Sequence, residues 1–407
     1  MTENEVKVYK YRWVILAVYA VINAVVQLQW LTFAPIAREA RSLYGVSALH
    51  VDFLSLIFMI VFLVVCIPAS YIIDTYGIRI GVGIGALLLA TFGLLKGFYP
   101  HDYNMVVVSQ IGLAIAQPFI LNSVTKVAGQ WFPITERAIA VGIATLAQFI
   151  GIITVMIVTP VMIVKTASGV YDISKIMMIY GMVSVAGAAL LLLFLREKPP
   201  TPPEIDGSIE RVSAFKGYKH IIQNKDMRFM LLLFFIGLGM FNAISTCIDQ
   251  ICQVKGLNIE QTGLVGGIML FAGIFGALVL PVLSDKLRKR KIFIIVGMVL
   301  MTPGLIGLAF STDYTILLIS SFVFGFFLLG AGAPVGFQYC AEVSLPAPES
   351  TSQGLILLTG QISGIIFIVG MNILGMNTAM FIFVGLALLT ILLSYLLKES
   401  KQIVVVV

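Results

Sequence analysis

The chain has 407 residues, 59% of them hydrophobic and 11% charged, with a formal net charge of +6. Ordinary globular domains carry about 25% charged residues, so a soluble enzyme and a nucleic-acid binder are both excluded. The mean hydropathy of +1.02 spreads the apolar excess along the whole chain, and a dozen spans of about 22 residues would occupy about 264 positions, which fits a polytopic membrane protein.

In chain order, a short charged stretch ends at Arg12, and the apolar run behind it has no small-residue cleavage site, so it reads as a first span and not as a signal peptide. Apolar runs at 12–36, 52–73, 79–97, 104–128, 137–163 and 174–195 predict six spans, and runs at 228–252, 261–283, 291–310, 314–341, 351–373 and 376–397 predict six more. Each is long enough to cross a hydrocarbon core of ~30 Å as a helix, whereas barrel strands alternate and are only about ten residues long. The expected fold is an all-α membrane protein whose spans are twelve transmembrane helices and not barrel strands.

Between the sixth and seventh runs lies a linker from Glu197 to Asp226 that opens with Pro199, Pro200, Pro202 and Pro203, none of which can continue a helix. Ile209, Val212, Phe215, Tyr218 and Ile222 then recur at helical steps, with Lys216, Lys219 and His220 among them, and predict an amphipathic surface helix. The domain division is 1–198 for a first six-helix half, 199–227 for the linker and 228–407 for a second half. Most of the 26 Lys and Arg residues fall in loops on the side of the termini. Both termini are therefore expected in the cytoplasm of a cell whose plasma or inner membrane holds the chain.

Five residue pairs are separated by one spacing of 213: Pro68 with Pro281, Pro133 with Pro346, Glu136 with Glu349, Gln148 with Gln361 and Gly151 with Gly364. Five matches at one offset, with the order of spans preserved, predict two pseudo-symmetric halves. Cys66, Cys247, Cys252 and Cys340 lie in apolar runs without CxxC spacing, so neither a zinc site nor a disulfide framework is expected.

Charges inside spans mark ion or proton pathways because they are costly there. Of the 20 acidic residues only Asp249 and Glu342 fall well inside long apolar runs, near span ends, and all three histidines lie at span ends or in loops. These two carboxylates are the candidates for ion coupling, and no proton carrier is expected at the midplane. Amides occupy it instead: Gln117 in the fourth run, Gln148 in the fifth, Asn242 in the seventh and Gln361 in the eleventh, with Asn23, Gln27 and Gln29 in the first and Trp30 one step further. Facing lipid they would be costly, so they point inward, either bonding helix to helix or lining a cavity. No HExxH or GxxxxGK[ST] occurs, so neither a metalloprotease nor an ATP-driven pump is expected.

The 6+6 duplication, with Asp74-Thr75-Tyr76-Gly77-Ile78-Arg79 after the second run and the degenerate Ser284-Asp285-Lys286 after the eighth, resembles the major facilitator superfamily and its D-x-x-G-x-R signature. Asp74, Gly77, Arg79 and Asp285 are the expected cytoplasmic gate, a carboxylate facing the positive N-terminal dipole of a helix in the opposite half, near Thr135-Glu136 or Ser350-Thr351-Ser352. Further matches run from Arg12-Trp13 through Gln29-Trp30, Tyr44-Gly45-Val46, Ala116-Gln117, Trp131-Phe132 and Ala243-Ile244-Ser245-Thr246 to Gly360-Gln361. On these the chain resembles the feline leukemia virus subgroup C receptor-related transporters.

That resemblance implies two six-helix domains working by alternating access on choline or ethanolamine; heme export has also been proposed for the family. It implies substrate contacts for Trp30, Gln117 and Gln361, to which the midplane reading adds Gln148 and Asn242. Asn242 stands where the family has a tyrosine, so half of an aromatic cage is absent and a more polar amine or a neutral solute also fits. The expectation is a uniporter for a small cationic amine, monomeric, in a lipid bilayer, with no cofactor, catalytic residue or nucleic-acid partner. The alternative is a proton-coupled carrier or exporter of an anion, drug or heme-like solute.

Overall fold

The computed structural model describes residues 8–165, 171–201, 220–344 and 349–400. Twelve helices are long and apolar enough to cross a membrane. A chain in lipid must satisfy its own backbone groups, which is why apolar runs of this length become helices. The chain divides into two compact units, Met1–Ser208 and Ile209–Val407.

The first unit holds α1 (Arg12–Trp30), α2 (Ala48–Tyr76), α3 (Ile78–Phe98), α4 (Tyr103–Leu121), α5 (Ile134–Met162) and α6 (Ser174–Phe194). The second holds α7 (Lys225–Thr246), α8 (Ile259–Leu287), α9 (Lys291–Phe310), α10 (Tyr314–Phe327), α11 (Glu349–Leu374) and α12 (Met376–Tyr395). Each half packs by the same scheme. α1 lies on α5, α2 on α4, and α3 on α4 and α6; correspondingly α7 lies on α11, α8 on α10, and α9 on α10 and α12. The repeat extends to single elements: α2 and α8 are each 29 residues long, with Pro68 and Pro281 inside them.

Local chemistry sets the helix ends. Asp102 caps α4 by accepting from the amides of Asn104 and Met105 at 2.9 and 3.2 Å. Asn224 does the same for α7 through Asp226 and Met227 at 2.9 and 3.3 Å. Gly77 alone separates α2 from α3, at φ +93°, a conformation that favours glycine. A Cβ there would also overlap the Glu197 carboxylate. Val64, Ile67, Leu193 and Ile373 remain exposed, as side chains that meet lipid would.

Four spans are less regular than their hydropathy predicts. α1 stops at Trp30, and a 3-10 turn (Ala34–Ile36) and a short helix (Ala37–Tyr44) continue it. Pro35 explains the stop, since its ring would clash with the carbonyl four residues back. Beyond α4 the chain breaks before a short helix, Val124–Trp131, and beyond α7 before Ile248–Gln253. α10 passes into a π-helical stretch, Leu328–Val335, around Pro334, and then into Gly336–Val343.

β1 (Val164–Lys165) and β2 (Tyr171–Asp172) form a small antiparallel ribbon between α5 and α6. Asp172 accepts from the Ser174 amide at 2.8 Å. Bonds from Ser174 hold its carboxyl below the usual carboxylate range, and His101 nearby adds to the effect. In the linker, Ile209, Val212, Phe215 and Tyr218 lie outside the described residues. At its end Ile221 is buried and Ile222 exposed.

Candidate functional site

In the first half the site is built on α1. Asn23, Gln27 and Trp30 follow one another at steps of four and three residues and so share one face of that helix. Each midplane amide from a neighbouring helix meets this face. Gln117 of α4 donates from Nε2 to Gln27 Oε1 at 3.0 Å, and Gln148 of α5 donates to Asn23 Oδ1 at 3.4 Å. Asn23 in turn donates to the Tyr19 carbonyl at 2.9 Å. These bonds use one end of each glutamine side chain. Gln117 Oε1 and Gln27 Nε2 carry no further hydrogen bond among the described residues, which leaves one acceptor and one donor group on this face.

Trp30 ends α1 with its indole 6% exposed. Its Nε1 donates to the Ser55 carbonyl of α2 at 3.2 Å, while Ser55 Oγ donates to the Trp30 carbonyl at 3.4 Å. The ring plane is thereby fixed against α2. Gln29 belongs to another face: its Nε2 donates to the Tyr180 carbonyl and to Ser184 Oγ of α6, at 3.1 and 2.8 Å. It ties helix to helix, and its buried Oε1 has no hydrogen-bond partner among the described residues.

In the second half, Asn242 of α7 donates from Nδ2 to the Gly360 carbonyl of α11 at 3.2 Å. That carbonyl is one residue before Gln361, which is half-buried. The α1–α5 and α7–α11 contacts are pseudo-equivalent, and Gln148 and Gln361 mark the same point in each. Both crossings are close. A Cβ on Gly151 would fall 2.0 Å from the Ala24 carbonyl oxygen, and one on Gly239 would fall 2.7 Å from Ser363 Oγ. A small apolar pocket lies between α7, α9 and the π-helical stretch, lined by Met230, Phe234, Phe241, Met298 and Leu328. It includes none of the amides, and its chemistry does not suit a cation.

The signature loop is organised within the first half. Asp74 is exposed and pairs with Lys126 at 3.5 Å. The amides of Ile78 and Arg79, which open α3, donate to the Glu197 carboxylate at 3.1 and 2.8 Å. The second half repeats this: the amides of Arg290 and Lys291, opening α9, donate to Glu399 at 2.8 and 3.1 Å. Both are anions at helix N-termini, where unpaired amides and the helix dipole favour negative charge. Sequence reasoning passed over these two glutamates, and only their position just beyond α6 and α12 could have signalled them. The side chains of Asp285, Thr135, Ser350 and Thr351 lie outside the described residues. Glu136 pairs with Arg12 at 3.0 Å within the same half.

The expectation about charge needs correction. Asp249 is fully buried and Glu342 is held by Arg290 at 3.1 Å, but Asp52 at 2% and Glu39 at 6% exposure are buried as well. Hydropathy put those two at a span edge, and the fold encloses them, Glu39 on the short helix that continues α1 and Asp52 near the start of α2. Lys96 was missed altogether. It lies in the last turn of α3 with no exposed surface, and its position in the run Leu94-Leu95-Lys96-Gly97-Phe98 was the available signal.

Comparison with known proteins matches residues 15–368, and again 256–405, to the profile of the Major Facilitator Superfamily. Solute carrier family 49 member A3 of Danio rerio is 29% identical over 385 residues, covering 91% of this chain and 80% of that protein. Choline/ethanolamine transporter FLVCR2 of Rattus norvegicus is 28% identical over 381 residues, covering 90% of this chain and 69% of that protein. Among solved structures, a bacterial homolog of the human lysosomal transporter Spinster aligns with TM-score 0.76 at 13% identity, covering 96% of this chain and 97% of its own. A D-xylose-proton symporter aligns with TM-score 0.75 at 14% identity, covering 96% and 99%. These two matches speak to the fold alone.

Proposed function

The chain belongs to the major facilitator superfamily, and on that premise we propose that it is a uniporter for a small organic cation of the choline or ethanolamine kind, working by alternating access. The observation that carries this reading is the pairing, on one face of α1, of a fixed indole with amides whose second polar groups are free. Trp30 offers its ring face to a quaternary or primary ammonium, an attraction of about 2 kcal/mol once both are desolvated. Gln27 and Gln117 offer an N–H donor and a carbonyl acceptor to a hydroxyl. Within the second half, Gln361 lies beside the Asn242–Gly360 bond, and Gln148 marks the equivalent point of the first. The choline and ethanolamine named for the relatives have this composition, a cationic head and a hydroxyl tail.

Asn242 widens the range toward the more polar ethanolamine, because an amide replaces a second aromatic wall. The Lys and Arg bias of the loops supports a cytoplasmic position for both termini. A fully buried Asp249 favours a second reading, ion-coupled transport, since a carboxylate so enclosed can carry a proton.

The test is uptake of labelled choline and ethanolamine into proteoliposomes. We expect saturable uptake of at least one, with Trp30→Phe retaining part of it and Trp30→Ala little, at unchanged folding. Wild-type uptake by Trp30→Ala would remove the indole from the site. Uptake that follows an imposed pH gradient, and is lost in Asp249→Asn, would decide for coupling.

A further inference from the structure

Where α1 stops, every carbonyl of its last turn finds a donor. The Leu31 amide bonds the Gln27 carbonyl at 3.4 Å. The Thr32 hydroxyl, shared between two acceptors, reaches Leu28 at 3.0 Å and Gln29 at 3.1 Å. Ser55 Oγ takes the Trp30 carbonyl at 3.4 Å. Helix ends leave such carbonyls orphaned, and within a membrane they must be met by protein. The break is thus held by two hydroxyls, and one of them is itself held by a charge.

That charge is Lys96. Its Nζ donates to Thr32 Oγ1 at 3.2 Å and to Gln110 Oε1 at 3.5 Å, and it stands 5.7 Å from the centre of the Phe33 ring. An ammonium has three N–H groups, and here an oxygen, an oxygen and a ring face surround it. Among the described residues no carboxylate pairs with Lys96. The C-terminal dipole of α3, whose last turn it occupies, favours the positive charge. Gln110 passes the connection on, donating from Nε2 to the Leu54 carbonyl at 3.1 Å, next to the Ser55 that holds the Trp30 indole.

Two routes therefore lead from Lys96 to Trp30: one through Thr32 and Phe33 in the break, the other through Gln110 and the backbone of α2. A buried charge in a span is costly and is kept where it has a task. We propose that Lys96 is the positioning residue of the Trp30 site, its ammonium holding the break in α1 and so aiming the indole at the substrate. The proposal rests on the reading of Trp30 as a substrate contact. Lys96 itself is enclosed and touches no substrate.

The chain has three tryptophans, so protein labelled with 5-fluorotryptophan gives three fluorine resonances, and Trp30→Phe assigns the one that matters. In substrate-free Lys96→Met we expect the Trp30 resonance to shift or broaden while those of Trp13 and Trp131 stay in place. Substrate KM should rise by up to about thirtyfold, the loss of one desolvated cation–π contact, with the maximal rate little changed. If Lys96→Met fails to fold, Thr32→Val cuts the same link from the other side, leaving the ammonium with Gln110 and the Phe33 ring, and should move the same resonance. A Trp30 resonance unmoved in either folded variant overturns the proposal, whatever the kinetics. Wild-type KM in Trp30→Ala overturns the substrate reading instead.

Discussion

At residue Gln117 the two readings of a midplane amide part company. As a substrate contact, Gln117→Ala should raise KM while surface expression and melting temperature hold; as helix-to-helix glue it should lower the melting temperature and leave affinity alone. The bond to Gln27 Oε1 at 3.0 Å adds a sharper expectation. Gln27→Ala and Gln117→Ala should be non-additive in KM, because each breaks the same pair. Glu342 gives the opposite kind of prediction. It and Arg290 are 9% and 8% exposed and 3.1 Å apart, so Glu342→Gln takes a carboxylate charge from beside a buried guanidinium. We expect a lowered melting temperature, with the pH profile of uptake unchanged. A changed pH profile at wild-type stability would return Glu342 to the coupling role its sequence position suggested. That Glu342 has a partner was not legible in the sequence, since Arg290 belongs to a loop 52 residues away.

Helices were the most legible elements, and their interruptions the least. The hydropathy of the first run passes through Trp30 without a dip, yet α1 stops there. Pro35 was visible, but a proline tells where a helix cannot continue and says nothing about which donors will meet the freed carbonyls. The same holds for Glu197 and Glu399, ordinary acids just past the last residues of α6 and α12. Folding brings them to the first amides of α3 and α9. Glu197→Gln keeps an acceptor but removes the anion from the helix N-terminus, and should cost about 0.3–1 kcal/mol in thermal unfolding, an effect screened by salt. The crossing of α1 and α5 is tighter. A Cβ on Gly151 would press on the Ala24 carbonyl oxygen at 2.0 Å, backbone that cannot rotate away. Gly151→Ala should force the two helices apart, lowering stability and disturbing the Gln148–Asn23 bond one turn away. A Gly151→Ala protein with wild-type melting and uptake would contradict that packing.

For the whole molecule the proposed uniport has an energetic consequence. A monovalent cation entering a negative-inside compartment gains about 2.3 kcal/mol per 100 mV, which supports roughly fifty-fold accumulation without a coupled ion. Uptake should therefore follow a potassium-diffusion potential and ignore an imposed pH gradient. Asp74→Asn tests the gate. The side chain is exposed and its pairing with Lys126 is long, so folding should be unaffected, while cysteine reactivity along the cytoplasmic part of the transport path should rise. Unchanged reactivity in a folded protein would count against Asp74 as a gate.

Twelve spans, their duplication and the amide-rich midplane were determined by the sequence itself. Lipid leaves a chain of this hydropathy no alternative to helices, and a duplicated helix order carries the same packing scheme into each half. Even the placing of Gln148 and Gln361 at equivalent points followed from spacing alone. What only the tertiary structure decided was which polar groups meet. Trp30 with Ser55, Gln117 with Gln27, Asn242 with Gly360 and Lys96 with Thr32 join residues from separate helices. Their contact depends on how each helix is rotated and where it breaks, and side-chain packing sets both. Hydropathy averages over a helix and is blind to its rotation, so it could count the polar residues of this bundle but not pair them.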